Sequence, residues 1–213
     1  RPGPIKNLHT LRPGMNLEGV RHHEPEAVTG EEREAAVIVP VVRRADDPHL
    51  LFTKRADHLA DHPGQMSFPG GGTEPVDDSR EATALREAEE EIGLRAPEVD
   101  CVGRLDDIRT VTRFAVRPFV GTIPDRAYEP CDGEVAEIAV LSLAELTDLS
   151  NYESERRDHP YYGEIRLHFF HVDGYTVWGA TGRILVQFLV LATDWEMPPA
   201  PDRVVDADAE YPV

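Results

Sequence analysis

The chain has 213 residues, of which 29% are charged and 40% hydrophobic, a composition typical of a single globular domain with a substantial core. Forty acidic residues against 22 basic ones give a formal net charge of −18, which excludes binding to nucleic acid or to an anionic membrane through the overall field of the protein. No apolar run approaches the roughly 18 residues of a transmembrane helix, and the two cysteines lack the CxxC spacing of a zinc site.

The kind of charge is also unusual. Only Lys6 and Lys54 are lysines, and every other basic residue is arginine. Abundant Asp and Glu with scarce Lys resembles the composition of proteins from halophilic archaea, because molar salt shortens the screening length to about 3 Å and makes self-repulsion tolerable. The N-terminus lacks the apolar core of a secretion signal, so we predict a cytoplasmic protein from a halophilic archaeon.

Composition shifts divide the chain into three predicted parts. An N-terminal extension (1–34) is rich in Pro, Gly, Glu and Arg and is predicted to hold one or two short helices at most. The main domain covers 35–195. An acidic C-terminal tail (196–213) follows, and its Pro- and Asp-rich sequence predicts poor order from about residue 198 onward.

Strands and helices follow from the apolar pattern of the main domain. Strands are predicted at 35–42, 49–56, 98–106, 114–123, 135–142 and 164–172. The segment GQMSFPGGG is predicted to be a short strand that runs into a glycine-rich loop. A helix is predicted at 79–92, capped by Asp78 and ended by Gly93; a short helix begins near 141, and a strand leads into a closing helix within 175–195. This order predicts an α+β fold with a mixed sheet.

The 79–92 helix carries four glutamates in five positions, Glu87, Glu89, Glu90 and Glu91. At about 100° per residue, an apolar stripe is predicted to face the core, formed by Ala82, Leu85, Ala88 and Ile92. Glu87, Glu90 and Glu91 then gather on the opposite face, while Glu89 points elsewhere. One interpretation is a solvated acidic face; the other is a site for a divalent cation.

The residues around the cluster favour the second interpretation. Mg²⁺ and Mn²⁺ prefer carboxylate and carbonyl oxygens as ligands. Arg86 precedes the cluster and is placed to orient a carboxylate, and the glycines before the helix allow the backbone to approach a ligand closely. Metal ions held in this way are suited to bridging phosphate oxygens.

At this point the sequence resembles the Nudix hydrolases. The segment REAEEEIGL (86–94), preceded by FPGGGTE and by an acid at Asp77 or Asp78, resembles the Nudix box: G, five residues, E, seven residues, REUXEEXGU. Two departures are visible: an Asp replaces the upstream Glu, and the loop holds one extra residue if Gly71 is the glycine of the box. The resemblance implies a Nudix-type α/β/α sandwich with a mixed β-sheet.

A second segment resembles one branch of that family. Residues 50–71, LLFTKRADHLADHPGQMSFPGG, are similar to the signature that precedes the box in coenzyme A pyrophosphatases, although Ala60 stands where that branch has Arg. The resemblance implies hydrolysis of coenzyme A or its derivatives to adenosine 3',5'-bisphosphate and 4'-phosphopantetheine. Two alternatives stay open: cleavage of ADP-ribose or another nucleoside diphosphate derivative, and a non-catalytic nucleotide sensor.

The resemblance also implies roles for individual residues. Metal ligands for Mg²⁺ or Mn²⁺ are expected at Glu87, Glu90, Glu91 and the carbonyl of Gly71. Catalytic roles are expected for Arg86, which orients the glutamates, and for a general base that is either a box glutamate such as Glu87 or the later acid Glu134.

Substrate contacts are expected at Arg55, Gln65, Gly70 and Gly71. Arg55 is equally well explained as the partner of a nearby acid, and Gln65 as a residue that shapes the glycine loop. The implied partner is a small-molecule diphosphate, with no nucleic acid and no membrane, and the protein is expected to be a monomer or a homodimer.

Overall fold

The computed structural model describes residues 14–44, 46–160 and 162–213. Within these residues it has four α-helices: α1 (Glu18–Arg21), α2 (Arg80–Ile92), α3 (Leu143–Leu146) and α4 (Gly179–Ala192). Short 3-10 helices lie at Ala96–Glu98 and Leu149–Asn151. The strands in the same part of the chain are β1 (Arg33–Val42), β2 (His49–Arg55), β3 (Met66–Ser67), β4 (Gly70–Gly72), β5 (Asp100–Arg104), β6 (Ile108–Arg109), β7 (Phe114–Ile123), β8 (Val135–Ser142), β9 (Tyr152–His159), β10 (Gly163–Val172), β11 (Tyr175–Val177) and β12 (Arg203–Val205).

The strands form two sheets. The larger has the order β3-β2-β1-β7-β5, with β4 also paired to β1, β6 to β7 and β8 to β2; β1 and β7 run parallel and the other pairs antiparallel. The smaller has the order β11-β10-β9-β12. The predicted α+β fold with a mixed sheet is therefore confirmed, and the second sheet adds to it.

Strand β1 explains the layers of the domain. Its side chains alternate between two core clusters, because both faces of the central sheet are covered. Ala36 and Ile38 pack in the cluster of α2, whereas Val39 and Val41 pack in the cluster of α4. The continuous apolar run at 35–42 follows from this double burial, and α2 and α4 form the two outer layers.

The N-terminal extension joins the core from residue 14 onward. The backbone N–H of Asn16 donates to the carbonyl of Ala192 at 2.8 Å, and Leu17 and Val20 are buried in the cluster that holds α4. Helix α1 is the short helix expected in this extension. Residues 1–13 of the predicted extension lie outside the described part of the chain.

The prediction of a poorly ordered C-terminal tail is wrong. Strand β12 pairs in parallel with β9, and the Arg157 guanidinium donates to the carbonyls of Ala207 (3.2 Å) and Ala209 (2.6 Å). Strand β9 was not predicted from the sequence either, because its segment YESERRDH is almost entirely polar. Its buried pair, Glu155 with Arg157 at 2.7 Å, allows charged residues to occupy an interior position.

None of the helices in the described ranges combines the length and apolar character needed to cross a membrane.

Candidate active site

Helix α2 begins at a side-chain cap and ends at a glycine. Ser79 is its N-cap, with its hydroxyl accepting from the N–H of Ala82 at 3.1 Å, so the predicted cap at Asp78 is wrong by one residue. Gly93 ends the helix in the left-handed conformation (φ 67°), as predicted. The cap fixes where the helix starts and therefore which way its acidic residues point.

The predicted orientation of the acidic residues is wrong. The buried residues of α2 are Thr83, Ala84, Ala88 and Ile92, so the helix docks through Ala84 and not through the larger Leu85. On a helical wheel this arc includes Glu87 and Glu91, which are partly buried against the sheet. Because Ala84 and Ala88 are small, the helix approaches β1 closely. The carboxylates of Glu87 and Glu91 therefore lie near the interface between the helix and the sheet.

Arg86 lies at the centre of the acidic group. It makes a bidentate pair with Asp77, Nε to Oδ1 at 2.8 Å and Nη2 to Oδ2 at 3.0 Å, and Nη2 also donates to the carbonyl of Gly72. Its Nη1 donates to Glu87 at 3.1 Å and to Glu90 at 3.2 Å. The predicted orienting role of Arg86 thus has a geometric basis, and Asp77 occupies the position of the upstream acid.

Asp77 is itself held from three sides. Besides Arg86, the N–H of Glu74 and the hydroxyl of Thr83 both donate to its Oδ2 at 2.9 Å. These hydrogen bonds, with Arg86 as the largest cause, hold the pKa of Asp77 well below its usual range. Asp77 therefore remains a carboxylate and fixes the guanidinium that contacts Glu87 and Glu90.

The glycine strand β4 lies directly beside these carboxylates. The N–H of Gly70 donates to Glu91 Oε2 at 3.2 Å. A side chain at Gly71 would bring its Cβ within 2.5 Å of Glu87 Oε1, and one at Gly70 within 2.3 Å of the carbonyl of Ala36. The two glycines therefore let the backbone pass between β1 and the carboxylates, and the predicted contacts of Gly70 and Gly71 with metal and substrate stay predictions.

Burial raises the pKa values of two of these glutamates. The pKa of Glu91 is raised to about 8, first by burial and then by the negative charges of Glu87, Asp132 and Glu134, against the opposing hydrogen bond from Gly70. The pKa of Glu87 is raised as well, mainly by burial, although Arg86 opposes the shift. The site therefore collects more negative charge than its own residues neutralise.

The loop before β8 carries two more acidic residues, Asp132 and Glu134, whose charges act on Glu91. Glu134 is exposed and lies 3.5 Å from Arg55 Nη1, and its charge acts on both Glu87 and Glu91. Arg55 also donates through Nε to the carbonyl of Asp61 at 2.7 Å, so the structure shows the pairing of Arg55 with a nearby acid, and its expected substrate contact stays a prediction. Asp132, which accepts from the N–H of Glu134 and Val135, was missed because its loop has no recognisable motif.

A cavity of about 970 Å³ lies next to the strand that leads into the glycines. Gln65, Met66, Ser67 and Phe68 form part of one wall, and the first turn of α4 forms another. Gln65 is thus brought to a candidate substrate pocket, whereas Glu87, Glu90 and Glu91 are not among the lining residues.

The chemistry of Glu87, Glu90 and Glu91 fits a divalent cation, but the three side chains are not arranged around a common cation position. Among the residues that the structure describes, no three acidic or metal-binding side chains converge on one point. Arg86 draws Glu87 and Glu90 toward its guanidinium, while Glu91 turns to the N–H of Gly70. The donors are hard oxygens with uncompensated charge, and the Gly71 backbone lies against Glu87, which suits Mg²⁺ or Mn²⁺.

Comparison with known proteins identifies the class. The NUDIX domain family model matches residues 32–164, and the chain belongs to the Nudix hydrolase family of enzymes. Its relatives include the uncharacterized Nudix hydrolase NudL of Enterobacter sp. (strain 638), 42% identical over 185 residues, which are 85% of this chain and 88% of the relative. The NudL protein of Escherichia coli (strain K12) is 36% identical over the same shares of both chains.

Among solved structures, a MutT/nudix family protein from Enterococcus faecalis matches 80% of this chain and 66% of its own, with 14% identity and a TM-score of 0.48. The NUDIX domain of Shewanella oneidensis NrtR, complexed with ADP ribose, matches 60% of this chain and 83% of its own, with 18% identity and a TM-score of 0.45.

Proposed function

We propose that this Nudix hydrolase uses Mg²⁺ or Mn²⁺ to cleave the diphosphate of coenzyme A or its derivatives, giving adenosine 3',5'-bisphosphate and 4'-phosphopantetheine or its acyl form. The observation that carries the proposal is the group of glutamates gathered by Arg86 against the glycine strand, beside a cavity large enough for a nucleotide. We further propose that the protein works in the cytoplasm at high salt.

In this proposal Glu87, Glu90, Glu91 and the carbonyl of Gly71 hold the cation. A divalent cation supplies charge neutralisation on the diphosphate and lowers the pKa of a bound water. Arg86, fixed by Asp77, sets the direction of Glu87 and Glu90.

The remaining step is a proton transfer. A water attacks one phosphorus of the diphosphate, the bond from that phosphorus to the bridging oxygen breaks, and the bridging oxygen leaves with the other phosphate. The proton of the water passes either to a box glutamate or to Glu134. Glu134 is suited to the second option because its exposed side chain lies on the loop that faces the other carboxylates. In that option Arg55, whose Nη1 lies 3.5 Å from Glu134 Oε2, helps to hold Glu134 in place.

Support for coenzyme A comes from the 50–71 segment, which contains most of β2 and all of β3, two paired strands of the larger sheet, and whose residues 65–68 form part of a wall of the cavity. Ala60, which replaces an Arg of that branch, leaves ADP-ribose or another nucleoside diphosphate derivative as the alternative substrate. Retention of Arg86, Glu87, Glu90 and Glu91 argues against a non-catalytic sensor.

A substrate panel tests the proposal. The purified chain is incubated with Mg²⁺ or Mn²⁺ at molar salt with coenzyme A, ADP-ribose and nucleoside triphosphates, and the products are separated by chromatography. Adenosine 3',5'-bisphosphate formed from coenzyme A, with much slower turnover of the others, is the expected result. Faster cleavage of ADP-ribose would overturn the coenzyme A assignment, and nucleotide binding without turnover would favour the sensor.

A further inference from the structure

The cavity has an electrostatic character that the rest of the chain does not share. Although the chain carries a formal net charge of −18, three arginines line the cavity: Arg109, Arg166 and Arg183. Among the described residues of the lining, Asp107 is the one acid, and Arg117 holds it through two hydrogen bonds of 2.8 and 2.9 Å. The cavity wall is therefore cationic in a strongly acidic protein.

Two of the three arginines have no carboxylate partner within the described part of the chain. Arg109 is paired with Glu31 at 2.9 Å. Arg166 donates only to neutral oxygens, the hydroxyl of Ser154 and the carbonyl of Ala200. With the residues that the structure describes, Arg183 makes one hydrogen bond, from Nη1 to the carbonyl of Arg109 at 3.2 Å. Most of the donors of Arg183 are thus left for another partner.

Arg183 lies in the second turn of α4 and lines the cavity. The residue is exposed, so its guanidinium is open to an anion that enters the cavity, although the surrounding protein atoms lower its pKa by desolvation. A guanidinium remains charged in proteins, so Arg183 offers a fixed positive charge with free donors. The acidic residue Asp107 of the lining is already paired with Arg117.

We propose that Arg183, assisted by Arg166, determines substrate specificity by binding a phosphate monoester of the substrate that lies apart from the diphosphate being cleaved. This inference rests on the proposed function, and for coenzyme A the group is the 3'-phosphate of the adenosine. The two anionic parts of the substrate then bind at separate places. The diphosphate binds through a cation to Glu87, Glu90 and Glu91, and the monoester binds in the arginine-lined cavity. ADP-ribose has no such monoester and gains nothing from Arg183.

Direct binding tests the inference without turnover. Calorimetry compares adenosine 3',5'-bisphosphate with AMP on the wild type, on Arg183→Gln, and on Arg43→Gln, which removes the same charge from an exposed position outside the cavity. The wild type and Arg43→Gln are expected to bind the bisphosphate about 10- to 100-fold more tightly than AMP, the range of a charge-assisted hydrogen bond. In Arg183→Gln the preference should fall to about threefold or less. A wild type without preference, or a preference retained in Arg183→Gln, overturns the inference.

Kinetics separate this inference from the proposed function. With coenzyme A, Arg183→Gln should raise KM about 10- to 100-fold with little change in kcat, while 3'-dephospho-coenzyme A is cleaved with unchanged constants. Arg183→Lys should restore part of the discrimination because it restores the charge. Equal losses with both substrates would show a structural role and overturn the inference. A wild type that cleaves neither compound would refute the proposed function. The calorimetric preference for adenosine 3',5'-bisphosphate over AMP would still test the role of Arg183.

Discussion

The two faces of the larger sheet present opposite charges. On one face, α2 carries Glu87, Glu90 and Glu91, and Arg86 donates to Glu87 and Glu90; on the other, α4 presents Arg183 to a cavity that two further arginines line. The contrast agrees with the two proposals above, in which the α2 face binds a metal-bound diphosphate and the α4 cavity binds a separate phosphate.

The largest expected effect comes from removing a carboxylate on the α2 face. Glu91→Gln keeps the shape of the side chain but removes the charge of a proposed metal ligand. We expect hydrolysis to fall by more than about 100-fold, which exceeds the usual effect of residues that only orient metal ligands. Initial rates at saturating Mg²⁺ measure the loss. Glu89→Gln, an exposed change on the same helix, is the matched control and should keep its activity. Equal activity in the two variants would refute the metal assignment.

A smaller effect is expected from the residue behind Arg86. Asp77→Asn keeps the size of the side chain but weakens the bidentate pair, so Arg86 no longer fixes Glu87 and Glu90. We expect the apparent affinity for Mg²⁺ to fall about 10- to 100-fold, as for other residues that orient metal ligands. Titration of activity with Mg²⁺ measures it, and Asp77→Glu should recover most of the affinity. An unchanged titration curve in Asp77→Asn would show that Arg86 is positioned by other contacts.

The pKa of Glu91 predicts how metal binding depends on pH. Because this pKa is about 8, the metal-free protein holds a proton on Glu91 at neutral pH, and binding a cation must release it. The apparent affinity for Mg²⁺ should therefore rise by up to about tenfold per pH unit between pH 6 and 8 and level off above. Calorimetry in buffers of different ionisation enthalpy measures the released proton. The absence of proton release at pH 7 would contradict the assignment.

The raised pKa of Glu91 also predicts that removing the charge of this side chain increases the free energy of unfolding. The pKa of Glu91 is about 8 in the folded chain and near 4.5 when exposed, so the folded state binds the proton more tightly. Its contribution to stability is fully present below pH 4.5 and is lost as the pH rises toward 8. Without metal, Glu91→Gln should raise the free energy of unfolding at pH 8 by about 1–3 kcal/mol, and by little at pH 5. Denaturant unfolding at both pH values measures the difference, and equal stability of the two proteins at pH 8 would show that Glu91 is solvated.

The opposite face should not share this behaviour. Arg183 stays charged across the same pH range, so its contribution does not change between pH 5 and 8. Between pH 5 and 8, the charge of Glu91 on the α2 face therefore changes, whereas the charge of Arg183 on the α4 face does not.

The sequence predicts most of the α2 side of the molecule. The run at 35–42, the helix at 79–92 and the glycines before it are found as expected, because each follows from local patterns. The orientation of α2 differs from the prediction, because an apolar stripe through Leu85 does not mark the face that packs against the sheet. The helix instead docks through Ala84 and Ala88, where small side chains allow closer packing.

The α4 side could not be predicted in the same way. Arg109, Arg166 and Arg183 come from three distant parts of the chain and meet only when both sheets have formed. Strand β9 is hidden for a related reason: Glu155 and Arg157 satisfy each other inside the protein, and no apolar pattern marks them. Polar residues whose partners are far away in sequence leave no periodic signal.

The ordered C-terminal segment has a practical consequence for work on this enzyme. Tyr211 lines the cavity and packs against Trp178 at 4.7 Å between ring centres, and Arg157 fastens the preceding residues through two carbonyls. Removing the apparently dispensable acidic residues that include Tyr211 would therefore take away part of the cavity in which we propose that the substrate binds.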